Sequence, residues 1–244
     1  MTFQVNSSIW TGKKAALFDM DGTLMDSMWM WTDIDVEYLK KIPQAKGQDI
    51  RQLQLEIEGM AMGEIAVYFK KKFLLSDPVE KLQADWNAMA LERYSHRVPL
   101  KPGALTMLAQ MKARGLKLGL CTSNSAELTR AALAANHVEG MFDVVLTANE
   151  VGRGKPNPDI YLEAARRIGV KPEDAIVFED VMNGVIAGRR AGMKVCGVAD
   201  DDYADRRQDI IEAADYFVED FRELAEPLTD SLADSLADEA IGEI

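Results

Sequence analysis

The sequence has few cysteines, few basic residues and no long apolar run, and each shortage excludes a class of protein. Only two cysteines, Cys121 and Cys196, occur in 244 residues, and each lies inside an apolar stretch. This placement favours buried thiols over a disulfide or a metal pair, so we expect a reducing, cytoplasmic location. No segment approaches the roughly 18 consecutive apolar residues of a membrane span. Residues 1–14 lack the apolar centre of a signal peptide, so we expect no membrane association.

Positive charge is also scarce. The chain has 28 basic against 40 acidic residues and a net charge of −12. A protein that binds a nucleic-acid backbone needs clustered lysine and arginine, so we expect no nucleic-acid partner. If this acidic chain binds an anion, it must concentrate positive charge locally.

Short apolar runs alternate with segments of helical periodicity along most of the chain, which predicts an α/β fold. Near-continuous apolar strands separated by helices indicate a parallel sheet that is covered by helices on both faces. The predicted strands are 15–18, 116–121, 144–146, 175–178 and 194–198, with 216–218 as a sixth. The predicted helices between them include 104–114, 126–135, 160–168 and 185–191.

Residues 28–96 contain no convincing strand and interrupt this alternation. Apolar and aromatic residues recur there at helical spacing, which predicts a helical insertion after the first strand. The core would therefore comprise 1–27 and 97–244, with 28–96 as a second, helical unit. The apolar stripe at 28–31 could contact a substrate from the first helix of the insertion, but such a stripe is more typical of core packing. Residues 228–244 are acidic and predict a tail without a catalytic role.

Polar side chains follow the predicted strands at the points where the strands end. Ligands of an open α/β sheet bind outside the carboxyl ends of its strands, so these side chains should face one crevice. Carboxylates can hold Mg²⁺, a hydroxyl and helix N-terminal amides can hold phosphate oxygens, and a lysine can neutralise both. Together they form a set suited to phosphoryl transfer: Asp19, Asp21, Thr122, Ser123, Asn124, Lys155, Glu179 and Asp180.

Each motif alone has a structural alternative. Asp19-x-Asp21-Gly22 could be a turn or a calcium loop, although an EF-hand requires a further acid before its glycine and a helix upstream. Residues 122–124 are ordinary helix-capping types, and 155–158 could be a loop that opens a helix. Residues 179–180 could be a solvated loop. Their joint order, each at the end of a strand or in a loop, favours catalysis.

The ordered motifs Asp19-x-Asp21-Gly22-Thr23, Thr122, Lys155-Pro156 and Glu179-Asp180 with Gly184 resemble those of the haloacid dehalogenase superfamily. The resemblance covers roughly residues 14–220 and is closest to the β-phosphoglucomutase-like branch. It implies a Rossmann-like core and a mobile helical cap at 28–96.

The resemblance also implies a role for each motif residue. Asp19 would be the nucleophile, Asp21 the general acid and base, and Lys155 the charge-neutralising lysine. Mg²⁺ would be held by the Asp19 and Asp180 carboxylates and the Asp21 carbonyl, with Glu179 as a ligand directly or through water. Phosphate would be bound by residues of two segments: Gly22 and Thr23 after the first strand, and Thr122, Ser123 and Asn124 after the second.

Asp21 separates the possible reactions. The dehalogenases and phosphonatases that this sequence resembles lack an aspartate at this position, which leaves a phosphatase or a phosphomutase acting on a small phosphorylated metabolite. The mutases have a lysine and an arginine around a glycine of the cap, where this chain has Glu58, Gly59 and Met62. The sequence therefore favours a phosphatase, although Arg51 or the lysines at 70–72 could supply the charge. A non-catalytic Mg²⁺-binding regulatory protein is a third hypothesis, and the oligomeric state is open.

Overall fold

The computed structural model describes residues 6–57, 60 and 62–225, and within them six parallel strands form one sheet. The strands are Ala15–Phe18 (β1), Lys117–Thr122 (β2), Val144–Thr147 (β3), Ala175–Glu179 (β4), Lys194–Val198 (β5) and Tyr216–Val218 (β6). The six predicted strands and the α/β class are confirmed, with β2, β3 and β4 each ending one residue later than expected. The predicted acidic tail at 228–244 lies outside the described residues, as do Glu58, Gly59 and Ala61.

Helices cover both faces of this sheet and form the segment between β1 and β2. The α-helices of the described residues are Met28–Leu39 (α1), Ile50–Ile57 (α2), Met62–Lys72 (α3), Val79–His96 (α4), Ala104–Ala113 (α5), Ala126–Ala135 (α6), Ala148–Val151 (α7), Asp159–Ile168 (α8), Met182–Arg190 (α9) and Arg207–Ala213 (α10). Helix α9 begins three residues earlier than its apolar pattern predicted, because the chain turns into it almost directly from β4. None of the described helices is both long and apolar enough to cross a membrane.

The strand order places three strand ends side by side. The order across the sheet is β3-β2-β1-β4-β5-β6, so β1 lies between β2 and β4. In register, Phe18 at the end of β1 pairs with Leu120 on one side and Phe178 on the other. The chain moves outward in opposite directions from β1, and the crevice at such a point is where open α/β sheets bind ligands.

Alternate residues of the central strand pack on opposite faces of the sheet. Ala16 and Phe18 belong to the hydrophobic cluster of one face, and Ala15 and Leu17 belong to the cluster of the other face. This explains why β1 is apolar at every position. The cysteines behave as the sequence predicted, since both thiols are buried and free.

Residues 28–96 form a helical insertion, a name we use for α1 to α4 and their connections. Its described residues contain no strand, as predicted. Side chains such as Ile34, Leu53, Phe69 and Trp86 are buried in the same cluster as Phe18. The insertion therefore packs continuously with one face of the sheet. Its division from the core as a separate mobile cap stays a prediction.

The aromatic contacts near the end of the described chain offer a test of this packing. The Phe221 ring is fully buried and lies edge-on to Phe18 at 6.4 Å and to Phe178 at 5.9 Å between centroids. Replacing a buried phenylalanine by alanine leaves a cavity, so we expect Phe221→Ala to lower the free energy of unfolding by about 3–5 kcal/mol. Urea denaturation measures this change. Leu105→Ala, at an exposed position of α5, is the control, and an equal loss in both variants would contradict the packing described.

Candidate active site

The residues after β1 turn sharply and direct two aspartates toward the crevice. Asp19 follows the strand directly, and the backbone N–H groups of Leu24 and Met25 donate to the Met20 carbonyl oxygen at 2.9 and 2.8 Å. Gly22 has a φ of +78°, and a Cβ there would lie 2.1 Å from Asp180 Oδ2. Only glycine fits both this backbone conformation and this close approach.

Three buried carboxylates converge at the ends of β1 and β4. Asp19, Glu179 and Asp180 each offer an oxygen within 4.8 Å of the others. Gly184 allows helix α9 to approach this cluster, because a Cβ at that position would lie 2.0 Å from the Glu179 carboxyl carbon. The adjacency of β1 and β4 therefore brings together residues that are 160 positions apart in the chain.

Lys155 supplies the positive charge of this cluster. Its ammonium is buried, forms a short ion pair with Asp19 Oδ1, and lies 2.6 Å from Glu179 Oε1. Burial alone would lower the pKa of Lys155, but the attraction of Asp19 and Glu179 raises it, so the ammonium stays charged. Burial raises the pKa of Asp19, and the Lys155 charge opposes that rise.

The remaining carboxylate oxygens fit a divalent cation. Asp180 Oδ1 accepts a hydrogen bond from Thr23 Oγ1 at 2.7 Å, whereas Asp180 Oδ2 and Glu179 Oε2 are buried without a partner among the described residues. Burial, followed by repulsion from Asp19 and Glu179, raises the pKa of Asp180 well above its usual range. Hard oxygen ligands with unsatisfied lone pairs are what Mg²⁺ requires. Asp19, Asp180 and Glu179 are therefore candidate metal ligands.

Asp21 lies in a different environment from Asp19. Its Oδ1 accepts hydrogen bonds from Ser27 Oγ at 2.7 Å and from the Tyr94 hydroxyl, and its Oδ2 accepts one from Asn124 Nδ2 at 3.1 Å. Burial raises the pKa of Asp21, and these three donors only partly offset the rise. A positioned carboxyl group with a raised pKa is suited to donating a proton at neutral pH.

The residues predicted to bind phosphate are divided between two places. Thr122, Ser123 and Asn124 line the crevice, and the backbone N–H of Asn124 donates to Thr122 Oγ1 at 3.0 Å. Gly22 and Thr23 instead contact the Asp180 side chain. Phosphate binding by all five residues stays a prediction.

The helical insertion covers the crevice, and the two together line a cavity of about 160 Å³. Asp19, Asp21 and Lys155 line it from the core. Met28 and Trp31 line it from helix α1, while Trp31 also packs against the hydrophobic core and Met30 is buried in it, so the stripe at 28–31 serves both the core and the cavity. The stripe crosses the boundary between the hydrophobic core and the cavity, which its periodicity does not reveal.

Two tyrosines of the site were not found by sequence reasoning. Tyr94 receives hydrogen bonds from Trp31 Nε1 at 3.1 Å and Asn124 Nδ2 at 2.9 Å while its own hydroxyl bonds Asp21. The Tyr161 hydroxyl donates to Glu179 Oε1. Tyr94 lies in the last turn of α4 and Tyr161 in the first turn of α8, and an isolated tyrosine in a helix carries no local signal of a polar role.

Comparisons with known proteins agree with this geometry. A family model described as haloacid dehalogenase-like hydrolase matches residues 13–192. The chain is 30% identical over 187 residues to validoxylamine A 7'-phosphate phosphatase of Streptomyces hygroscopicus subsp. limoneus, covering 76% of this chain and 85% of that protein. It is 29% identical over 182 residues to phosphorylated carbohydrates phosphatase of Thermotoga maritima, covering 74% and 82%.

Among solved structures, β-phosphoglucomutase from Clostridium difficile superimposes with a TM-score of 0.72 at 21% identity, covering 95% of this chain and 100% of that chain. This likeness concerns the fold alone. It confirms the predicted Rossmann-like architecture.

The carboxylate cluster predicts a pH-dependent effect of Mg²⁺ on stability. Burial raises the pKa of Asp19 to about 8, and a carboxyl group whose folded-state pKa is raised contributes stability at low pH that is lost as pH rises through the raised value. We therefore expect the metal-free protein to lose stability at this cluster as the pH rises to about 8, and Mg²⁺, which binds the ionised carboxylates, to raise the melting temperature more at the upper end of that range than at the lower. Mg²⁺ at about 100 times its Kd would raise the free energy of unfolding by about 2.7 kcal/mol.

The variant Asp180→Asn tests whether Asp180 is a Mg²⁺ ligand, because the amide keeps an oxygen that accepts the hydrogen bond from Thr23 and removes the negative charge. Calorimetry with EDTA and with Mg²⁺ should show that this variant melts no lower than the wild type without metal and gains nothing from Mg²⁺. Asp33→Asn, at an exposed position of α1, should keep the full Mg²⁺ effect. An unchanged Mg²⁺ effect in Asp180→Asn would exclude Asp180 as a ligand.

Proposed function

We propose that this chain, which belongs to the haloacid dehalogenase-like hydrolase family, is a Mg²⁺-dependent phosphatase that acts on a small phosphorylated metabolite. The substrate would be a sugar phosphate or a similar monoester, and Asp19 would carry the phosphoryl group as an aspartyl phosphate. The enzyme class is that of a phosphoric monoester hydrolase, as in the phosphatases it is similar to.

The observation that carries this proposal is the separation of two aspartates from one turn into two environments. Burial raises the pKa of both carboxyl groups, but Asp19 is paired with the Lys155 ammonium, which favours its ionised form, whereas Asp21 is held only by neutral donors. Two carboxyl groups whose environments differ in this way suit a nucleophile beside an acid. The same turn therefore supplies both groups that stepwise phosphoryl transfer needs.

In the first step, an oxygen of ionised Asp19 attacks phosphorus, the bond between phosphorus and the ester oxygen breaks, and Asp21 gives its proton to that oxygen. In the second step, ionised Asp21 takes a proton from water, the water oxygen attacks phosphorus, and inorganic phosphate leaves Asp19. Lys155 neutralises charge at Asp19 throughout. Mg²⁺ would be held by Asp19, Asp180 and Glu179, and it would offset the repulsion between the Asp19 carboxylate and the phosphate.

The charge of the cavity favours a phosphatase over a phosphomutase. A mutase must hold a second phosphate group, which requires fixed positive charge on the wall that faces the first. Among the described residues of the insertion, no lysine or arginine lines the cavity. Arg51 pairs with Asp205, Lys72 pairs with Glu56, and Lys70 donates to the carbonyl oxygen of Ser76 at 3.2 Å. Rapid formation of glucose 6-phosphate from β-glucose 1-phosphate and a trace of the bisphosphate would favour the mutase instead.

The nucleophile is tested by Asp19→Asn. We expect Mg²⁺-dependent release of inorganic phosphate from several members of a phosphometabolite panel by the wild type, and a loss of at least about 10⁴-fold in the variant, because an amide cannot form the acyl phosphate. Circular dichroism checks the fold, and mass spectrometry of quenched enzyme should detect the phosphoryl group only in the wild type. A wild type that releases no phosphate from any member would favour the regulatory hypothesis.

The acid is tested by Asp21→Asn with two kinds of ester. The ratio kcat/KM reports transfer to Asp19, so it isolates proton donation from the later hydrolysis. We expect a loss of about 10² to 10⁴ for an alkyl phosphate, whose leaving oxygen needs a proton, and a much smaller loss for p-nitrophenyl phosphate. Tyr94→Phe should show a weaker form of the same pattern, since Ser27 and Asn124 still hold Asp21. Equal losses for both esters would argue against the assignment.

A further inference from the structure

The wall of the cavity that faces the catalytic groups is mostly apolar and carries one carboxylate. Side chains that form its apolar part include Trp31, Ile34, Ile57, Met60, Ile65 and Trp86. Asp35 lines the same wall from helix α1, four residues after Trp31 and therefore on the same helical face. Among the described residues of the insertion, it is the only charged side chain that lines the cavity.

Asp35 is not engaged by the protein itself. Within the described part of the chain its carboxylate has no hydrogen bond and no ion pair. Burial raises the pKa of Asp35 to about 7, with no neighbouring cation or donor to offset the cost of desolvation. By contrast, Asp33 on the same helix is exposed to solvent and does not line this cavity. An unpaired, partly buried acceptor gains from a ligand that brings a donor.

The other polar groups of this wall are neutral. Gln54 lines the cavity, and its Nε2 donates to Thr32 Oγ1 at 2.8 Å, which commits one of its two N–H groups to the insertion. Its carbonyl oxygen remains as an acceptor beside the second N–H. The only charge that the described residues of the insertion bring to the cavity is therefore the carboxylate of Asp35, which complements hydrogen-bond donors and opposes a second anion.

We propose that Asp35 selects phosphate monoesters whose end remote from the phosphate carries hydroxyl or ammonium donors, an inference that rests on the function proposed above. A donor from the substrate satisfies the carboxylate, whereas an ester without one covers it and leaves it unpaired. An ester with a carboxylate or a second phosphate places like charges together in a site of low polarity. Trp31 and the aliphatic side chains contact the carbon skeleton between the two ends.

A matched set of three-carbon esters tests this selection. Glycerol 1-phosphate carries hydroxyl groups, 3-aminopropyl phosphate an ammonium, propyl phosphate no donor, and 2-carboxyethyl phosphate a carboxylate. Hydrogen bonds to a charged group are worth at least about tenfold in affinity. We therefore expect wild-type kcat/KM to be at least about tenfold higher for one or both donor-bearing esters than for propyl phosphate, and lowest for the carboxylate. The donor-bearing ester with the higher kcat/KM shows whether Asp35 prefers a hydroxyl or an ammonium group.

Two substitutions separate charge from hydrogen bonding. Asp35→Leu should abolish the preference for donors, and Asp35→Asn should keep a preference for hydroxyl groups while losing that for ammonium. Asp35→Asn should also relieve the discrimination against the carboxylate. Asp33→Asn is the matched control and should retain the wild-type profile. The Mg²⁺-dependent rise in melting temperature confirms that each variant is folded.

The two proposals fail in different ways. Acetyl phosphate has no extended remote end, so it reports the phosphatase chemistry alone. No Mg²⁺-dependent phosphate release from it or from the four esters by the wild type would overturn the proposed function. Release with an equal kcat/KM across the four esters, or an unchanged profile in Asp35→Leu, would overturn the role of Asp35 and leave the phosphatase chemistry standing.

Discussion

The ammonium group of Lys155 lies between two buried carboxylates, and the organisation of the site depends on this contact. Asp19, Glu179 and Asp180 are held within a few ångströms of one another by neighbouring strands, where desolvation and mutual repulsion both oppose ionisation. A buried cation offsets part of that cost without occupying every oxygen. The two oxygens left without partners among the described residues, on Glu179 and Asp180, are what a divalent ion would complete.

The same arrangement separates the two aspartates of one turn. Asp19 faces the lysine, while Asp21, two residues later, reaches a set of neutral donors from three other parts of the chain. The turn is tight enough for this because Gly22 adopts a left-handed conformation against Asp180. Local backbone geometry thus places Asp19 beside a cation that favours its ionised form and Asp21 beside neutral donors.

The helical insertion contributes to both chemistry and recognition. Tyr94, near the end of α4, holds Asp21, and Trp31 bonds Tyr94 from α1 while lining the cavity. Asp35 lies one turn further along α1 on the same wall. Trp31, which bonds the tyrosine that holds the proposed acid, and Asp35, which we propose faces the remote end of a substrate, therefore share helix α1.

The sequence by itself determined the six strands, the parallel α/β class and the helical character of residues 28–96. Apolar periodicity depends on which face of an element is buried, and that is a local property of the chain. It also identified Asp19, Glu179 and Asp180 as candidates, because polar residues at the ends of buried strands stand out against apolar neighbours, and Lys155 in a loop before a predicted helix.

Only the tertiary structure decided which side chains meet at the site. Tyr94 is 73 positions from Asp21, and its hydroxyl reaches that carboxylate because α4 packs against α1 and α6. Asp35 looks in the sequence like any polar residue of an amphipathic helix, yet the closure of the insertion places it in the cavity wall. Such contacts depend on how whole helices and strands pack together, and the residue pattern within one helix does not show which other elements pack on it.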